Sequence, residues 1–404
     1  MIKFDFKTYT KPFIDKDEFK KYYSKKEFYI KKLLNSNMIG WTKNISKEII
    51  EDIKETAKYI KENFECMVVV GIGGSYLGSY AFQEMFKKYF NDKSFEVIYA
   101  GTTLSSKYLD ELLLYLENKN FCINVISKSG TTMETMISYT EIKKILKRKY
   151  SEEEIRKRIF ITTDKEKGKL REEVNENNYK SFKIPEDIGG RFSFITPSHL
   201  LPLALNYDID KIIDGYYDGK RLIDKAFEYS IIRKMLFEKG KLIENFCVFE
   251  QNMYGFTEWL KQLFGETEGK NGVGIYPTSS IYTKDLHSLG QFIQEGNKIV
   301  FETFIKVEKM DNFIDYKGKN LHEINNTVLS STMRAHFKGL VPCLEISVEK
   351  IDLETISTLL YFFMLSSAFS GFLFEVNPFN QPGVEIYKKE VKESLGEIWK
   401  KDIF

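Results

Sequence analysis

Short runs of aliphatic and β-branched residues alternate along this chain with longer segments whose apolar positions recur every three or four residues. At 44–62, Ile45, Ile49, Ile53, Ala57 and Ile60 mark one face of a helix. A strand at 67–70 runs into the sequence GIGGS, and a helix follows to residue 90. Strands at 95–99, 122–126 and 160–162 are then separated by helices at 105–116, up to 149 and at 167–176. A second series opens with a helix at 222–239, a strand at 246–250, a helix at 251–264 and a strand at 274–276. The segment DLHSLGQFIQEG carries a further helix, strands at 299–307 and 344–348 enclose a helix at 324–337, and a long apolar helix covers 352–374. A last helix is expected at 383–398. Apolar strands alternating with helices predict an α/β fold of mostly parallel sheets, each covered on both faces in a three-layer sandwich. The order of elements divides the chain into an N-terminal arm at 1–44, a first lobe at 45–220, a second lobe at 221–378 and a C-terminal helical tail at 379–404. Open sheets of this kind bind ligands beyond the carboxyl ends of their strands, so informative residues should follow the strands.

Composition narrows the partners. With 404 residues, 43% of them hydrophobic, the chain exceeds the size at which one core usually stops growing. Sixty basic residues nearly balance 58 acidic ones, which gives no general reason to expect nucleic acid or an anionic membrane surface. Cys66, Cys122, Cys247 and Cys343 are far apart and read as buried free thiols, without the paired spacing of a zinc site. Charge interrupts every apolar run of the N-terminal sequence MIKFDFKTYTKPF, so no secretory signal is read there and a cytoplasmic location is expected. The uncharged run 355–374 is long enough to cross a bilayer, which takes about 20 residues. Ser357, Thr358, Ser366, Ser367 and Ser370 interrupt it and Glu354 and Glu375 flank it, so a buried helix is expected, with no membrane span.

Two strand ends carry candidate chemistry. In GIGGS, the missing side chains at Gly73 and Gly74 let backbone N–H groups approach an anion. The spacing is not that of a dinucleotide fingerprint, and Gly101, Thr102 and Thr103 after the second strand offer no acid for a ribose. After the third strand, SKSGTTMET places Ser127, Ser129, Thr131, Thr132 and Thr135 at a helix start, a compact uncharged cradle for a phosphate monoester. Lys128 precedes the turn glycine Gly130, unlike the lysine of a nucleotide-binding P-loop, so ATP use is not expected. Of the four histidines, His199 reads as structural, while His322 and His336 flank a helix as surface or interface groups. With no clustered Cys/His pattern, neither a metal nor another cofactor is expected.

Further segments complete the pattern: DIGGRFS at 187–193, GETEGK at 265–270, DLHSLGQ at 285–291 and FNQPGVEIYK at 379–388. In this order, with the hydroxyl cradle, they resemble the glucose-6-phosphate isomerase family over essentially all of the chain after about residue 45. The resemblance implies two lobes of the sugar-isomerase fold. It also implies reversible conversion of glucose 6-phosphate to fructose 6-phosphate, in glycolysis and gluconeogenesis, through ring opening and a cis-enediol(ate). It assigns Ser127, Ser129, Thr132 and Thr135 to the phosphate and places Gly74 and Ser75 at the sugar. Lys128, Gln262 and Gln381 join them as substrate-binding candidates. Glu266 would carry the proton between C2 and C1, Arg191 would stabilise the enediolate, and His287 and Lys388 would assist ring opening. In this family the histidine matching His287 comes from the neighbouring subunit, which implies a homodimer with shared sites. The chain is shorter than most members at both ends, and Gly130 stands where animal members have phenylalanine.

The chemistry is also reasonable on its own terms. A carboxylate can take a proton alpha to a carbonyl and return it to the adjacent carbon, and a guanidinium can hold the charge that develops on oxygen. Glu266 is expected in a glycine-bounded segment just after the 251–264 helix, with Glu268 its obvious rival. Three alternatives share the cradle: an isomerase that also accepts mannose phosphate, a noncatalytic phosphosugar-binding regulator, and an amino-sugar phosphate isomerase. The regulator would lack the base, the ring-opening groups and QPGVEIYK. The amino-sugar enzyme normally needs an amine source, and no N-terminal catalytic cysteine is present to supply one.

Overall fold

The computed structural model describes residues 1–311 and 313–401. Its strands are β1 Ile2–Tyr9, β2 Cys66–Val70, β3 Glu96–Ala100, β4 Phe121–Ile126, β5 Ile159–Thr163, β6 Lys180–Lys183, β7 Ile243–Val248, β8 Tyr276–Ile281, β9 Val300–Val307, the short pair β10 Asp315–Tyr316 and β11 Lys319–Asn320, and β12 Cys343–Val348. Two compact units result. Unit I comprises Met1–Ser36, Glu84–Phe86 and Asp210–Gln381; unit II comprises Asn37–Gln83, Lys87–Ile209 and the segment from Pro382 onward.

Unit II holds a five-stranded sheet in the order β3-β2-β4-β5-β6, parallel throughout. Successive residues of a strand face opposite sides, and β2 is buried on both. Cys66, Val68 and Val70 pack with Leu112 and Leu116 of the helix Ser106–Glu117 and with Ile142 and Leu146 of the helix Met133–Lys149. Met67 and Val69, on the opposite face, are equally buried. This double coverage explains why the central strands read as continuous apolar runs. The edge strand β6, KSFK, buries only Phe182 and carries no strand signal in the sequence.

Unit I holds the second sheet, ordered β1-β12-β9-β7-β8. β12, β9, β7 and β8 are parallel, whereas β1 runs antiparallel beside β12, with Ile2 opposite Val348 and Phe4 opposite Ile346. Residues 1–44 are therefore not a separate arm. Ile2 and Phe6 are buried while Lys3, Asp5 and Lys7 are exposed, the alternation of an edge strand. At the other edge β8 begins at Tyr276, not at 274. Its sequence YPTSSI is polar because it pairs on one side only, where Pro277 is tolerated.

The apolar run forms the helix Leu353–Leu373, and its most hydrophobic window is wholly buried within unit I. Its hydroxyls are satisfied locally: Ser357 donates to the Leu353 carbonyl at 2.7 Å and Ser366 to the Phe362 carbonyl at 2.8 Å. Ser230 of the neighbouring helix Ile223–Glu238 donates to the Ser366 carbonyl at 2.8 Å, so small polar residues let the two helices close on each other. All four cysteines are free and buried. Loss of hydration pushes the Cys66 thiol up to about 12 and the other three above the ordinary thiol range, so none supplies a thiolate nucleophile. His322 and His336 do not flank a helix but lie within one, Leu321–Lys338. His336 is buried, with Nδ1 2.5 Å from the Glu302 carboxylate, which also accepts from Tyr282 at 2.5 Å; it is a core group and not a surface one.

Candidate active site

In unit II the hydroxyl residues of the candidate cradle come together where β4 ends. The helix Met133–Lys149 begins at Thr132, whose own side chain does not cap it, so the first-turn N–H groups are left for another acceptor. Ser127 accepts from the Gly130 N–H at 3.1 Å, and its hydroxyl lies 3.3 Å from that of Thr132. Ser129 accepts from the Thr131 N–H at 3.2 Å and from the Thr131 hydroxyl at 2.9 Å. Gly130 sits at φ +66°, where a Cβ would also press on the Leu170 backbone, so the tight loop favours glycine for two reasons. The Thr135 hydroxyl is buried and has no protein partner. A buried hydroxyl left unpaired costs about 1–3 kcal/mol, and a ligand oxygen would remove that cost. Lys128 is exposed and turns to the Glu186 carbonyl at 3.4 Å.

The GIGGS turn stands beside a second glycine turn. Residues Gly73–Ser75 and Gly190–Phe192 are single 3₁₀ turns, and a Cβ added at Gly74 would overlap the Gly190 carbonyl group. This approach sets Ser75 and the buried Arg191 on adjoining turns. The Arg191 guanidinium lies 5.4 Å from the Phe192 ring centre, and Phe192 stacks on the fully buried Trp41 at 5.3 Å. Asp187 anchors the segment, with its carbonyl 3.0 Å from the Gly40 N–H and its carboxylate 2.8 Å from Lys43 Nζ.

His199 reads as structural from the sequence, and the structure gives that role a specific form. Its Nδ1 accepts from the Ser79 N–H at 3.1 Å and its Nε2 lies 2.8 Å from the Gly74 carbonyl oxygen. Burial pushes its pKa down to about 4 from 6.5. As pH falls below 6.5 the unfolded chain gains a proton here, while the folded chain does so only near 4. The stability this group contributes is therefore full above pH 6.5 and is lost towards pH 4, a change of about 3 kcal/mol. Urea unfolding at about pH 7.5 and about pH 4.5 checks this: His199→Gln should lose less stability on acidification than the parent protein. Equal losses would show that other groups carry the acid sensitivity.

In unit I the helix Tyr254–Glu268 carries both Gln262 and Glu266. Glu266 thus lies in the last turn of this helix and not in a loop after it, because the helix continues through Gly265. A spacing of four puts the two side chains on one face, and Gln262 Nε2 donates to Glu266 at 3.2 Å. The Gln262 amide oxygen is buried with no partner, a second unsatisfied group at a residue singled out for substrate contact. Glu268 is a different kind of residue. It is fully buried, ion-paired with Arg233, and accepts from the Ile275 N–H at 3.3 Å. Arg233 also reaches Glu244 at 2.7 Å and Ser370 at 2.6 Å. Nothing in the local sequence marks Arg233 or Glu244, which sit in an apolar helix and strand far from GETEGK.

The remaining candidates lie on the surface. His287 is exposed in the short turn Lys284–His287, which Asp285 fixes by accepting from the Ile281 N–H at 2.7 Å. Gln381 is exposed just before the helix Gly383–Lys401. On that helix Lys388 is exposed and pairs with Glu385 at 2.8 Å, so it is engaged along its own helix and not with the hydroxyl cradle. No group of three or more His, Cys, Asp or Glu side chains placed to hold a metal ion occurs among the described residues.

Comparison with known proteins identifies the family. The sequence model of the family described as phosphoglucose isomerase matches residues 41–333. The glucose-6-phosphate isomerase of Staphylococcus saprophyticus is 43% identical over 387 residues, covering 89% of this chain and 87% of that protein. The enzyme of the same name from Staphylococcus aureus strain Newman is 41% identical over the same shares. Among solved structures, a hypothetical protein from Thermus thermophilus superposes with a TM-score of 0.85 at 26% identity, covering 98% of this chain and 100% of that one. A glucose-6-phosphate isomerase from Chlamydia trachomatis shares the fold at a TM-score of 0.76 and 20% identity, over 87% of this chain and 74% of its own. By motif order, by fold and by identity to these relatives, the chain belongs to the phosphoglucose isomerase family.

Proposed function

We propose that this protein interconverts glucose 6-phosphate and fructose 6-phosphate by carboxylate-mediated proton transfer. The observation that carries the substrate class is the hydroxyl cradle, with its uncapped helix start and the buried, unpartnered Thr135 hydroxyl. A phosphate monoester supplies the acceptors those N–H and O–H donors lack. The names of the relatives at 41–43% identity support the two sugars. In this reading Ser127, Ser129, Thr132 and Thr135 hold the phosphate, Gly74 and Ser75 border the sugar, and Lys128, Gln262 and Gln381 complete substrate binding. His287 and Lys388 assist ring opening. Glu266 takes the C2 proton of the open-chain aldose and returns it to C1, while Arg191 offsets the charge on the enediolate oxygen. The test is turnover of glucose 6-phosphate in the presence of chelator and without nucleotide, alongside mannose and glucosamine phosphates. Wild type should turn over glucose 6-phosphate, and Thr135→Val should raise KM about tenfold with kcat nearly unchanged. An absolute requirement for a divalent metal, or an unchanged KM in Thr135→Val, would overturn this assignment.

The same reading makes the protein a cytoplasmic homodimer in which His287 serves the neighbour's site. The exposure of His287 supports this, since an imidazole meant for a partner cannot be spent inside its own subunit. Mixing His287→Ala chains with Glu266→Gln chains should restore part of the activity. No recovery after demonstrated subunit exchange would count against a shared site.

A further inference from the structure

The two glycine turns of unit II are joined by hydrogen bonds that converge on one imidazole. Because His199 Nδ1 accepts from the Ser79 N–H, its proton resides on Nε2, and that N–H points to the Gly74 carbonyl at 2.8 Å. The Ser193 hydroxyl lies 3.1 Å from the same nitrogen, donates to the Gly190 carbonyl at 2.6 Å and stands 3.0 Å from the Gly74 carbonyl oxygen. The circuit therefore ties Gly74, on the turn that borders the sugar, to Gly190, the residue before Arg191. The imidazole is completely enclosed: it stacks beside Phe194, with ring centres 6.2 Å apart, and lies against Gly78, where a Cβ would stand 3.2 Å from Cε1. An apolar residue of similar size would fill this space but leave the Ser79 N–H without its acceptor and the Gly74 carbonyl without its nearest donor.

We propose that His199 is a positioning residue, which through the Gly74 carbonyl and Ser193 fixes the close approach of the GIGGS turn to the Gly189–Gly190 turn and so fixes where Arg191 stands. The proposal rests on the assignment of Arg191 to the enediolate. Its effect belongs to the transition state, because Arg191 is asked to meet charge that develops only during the reaction. The phosphate should be held as before, since the Ser127 and Ser129 hydroxyls make their contacts within their own loop and none with His199.

His199→Phe and His199→Gln separate this from a role in bulk packing. Two measurements are made on each folded variant: steady-state kinetics in both directions, and amide hydrogen exchange of peptides covering 73–76 and 190–193. His199→Phe should lower kcat at least about tenfold with KM within about threefold, and should speed exchange in both peptides. His199→Gln, whose amide can still donate to the Gly74 carbonyl, should recover most of both. Unchanged exchange in His199→Phe overturns the brace whatever the activity. Faster exchange with kcat within about twofold of wild type overturns the link to Arg191. Should His199→Phe not fold, Ser193→Ala replaces it with the same two readouts and the same overturning outcomes. A wild type with no isomerase activity would sink the functional reading instead, and the exchange result would then decide the brace alone.

Discussion

Glu266→Gln should lower kcat by at least about 10²-fold while leaving folding and KM for either sugar phosphate close to wild type. The substitution keeps the side chain's length and its ability to hydrogen-bond with Gln262, one helical turn away, but removes a carboxylate that can accept and return a proton. Glu268→Gln should behave in the opposite way. Glu268 is held in the core by its ion pair with Arg233 and by the Ile275 N–H, which leaves its carboxylate engaged in structure, so the variant should keep most of its kcat at low temperature and lose stability. Exchange of the substrate's C2 proton with deuterium from solvent, followed by NMR, gives the sharper comparison. A carboxylate that holds the proton between C2 and C1 leaks some of it to water, so exchange should accompany wild-type turnover and nearly vanish in Glu266→Gln. Full turnover in Glu266→Gln, with loss of turnover and exchange in Glu268→Gln, would move the base two residues along.

Arg233→Met should cost about 3–5 kcal/mol of stability, among the largest effects of any single change in this chain. The guanidinium is completely buried in unit I between the Glu244 and Glu268 carboxylates, and it also donates to Ser370. Tyr229 and Thr303 donate to Glu244 in turn, so five side chains from three helices and two strands depend on one cation. Burial opposes the charge on Arg233, but the two carboxylates outweigh it and push the pKa upward, so the group stays charged at every working pH. Removing it leaves two carboxylates dehydrated and without their counter-ion. Urea unfolding measures the loss. A double-mutant cycle between Arg233 and Glu268 should give a coupling of more than about 1.5 kcal/mol, against roughly 0–1 kcal/mol for the exposed pair Lys388–Glu385. A loss below about 1 kcal/mol in Arg233→Met would mean that packing alone holds the end of the Glu266 helix. With Glu266 in its proposed role, the triad would link stability to chemistry, since Glu268 lies in the same helical turn as Glu266.

How much of the fold is legible in the chain follows the strength of local signals. The central strands of the unit II sheet announce themselves because both faces are buried, which leaves few polar positions to break the apolar run. Three edge strands escape the reading. β1 passes for part of an arm, β6 leaves no trace and β8 is placed too early, because an edge strand is half exposed and its lysines, serines and proline are allowed to look like loop. The boundary of the Glu266 helix is misplaced for a similar reason. Gly265 suggests a stop, but the buried ion pair of Glu268 with Arg233 holds the helix for another turn.

The α/β class and the family could both be had from the chain alone, because each depends on residues close together or on motifs in a fixed order. So could the placing of the run that ends in Phe374 as a core helix, since its scattered serines can bond to their own helix while remaining small enough to pack. The resemblance favours Glu266 over Glu268 as the base, but the physical reason that sets Glu268 apart could not be read there. Their surroundings in sequence are nearly the same, but the partner that makes one of them structural, Arg233, lies 35 residues away. The joining of His199 to Gly74, 125 residues apart, was equally out of reach until the chain was folded. A hydrogen bond between distant residues leaves no periodicity and no spacing to read, and its energy comes from excluding water around a pair that only folding brings into contact.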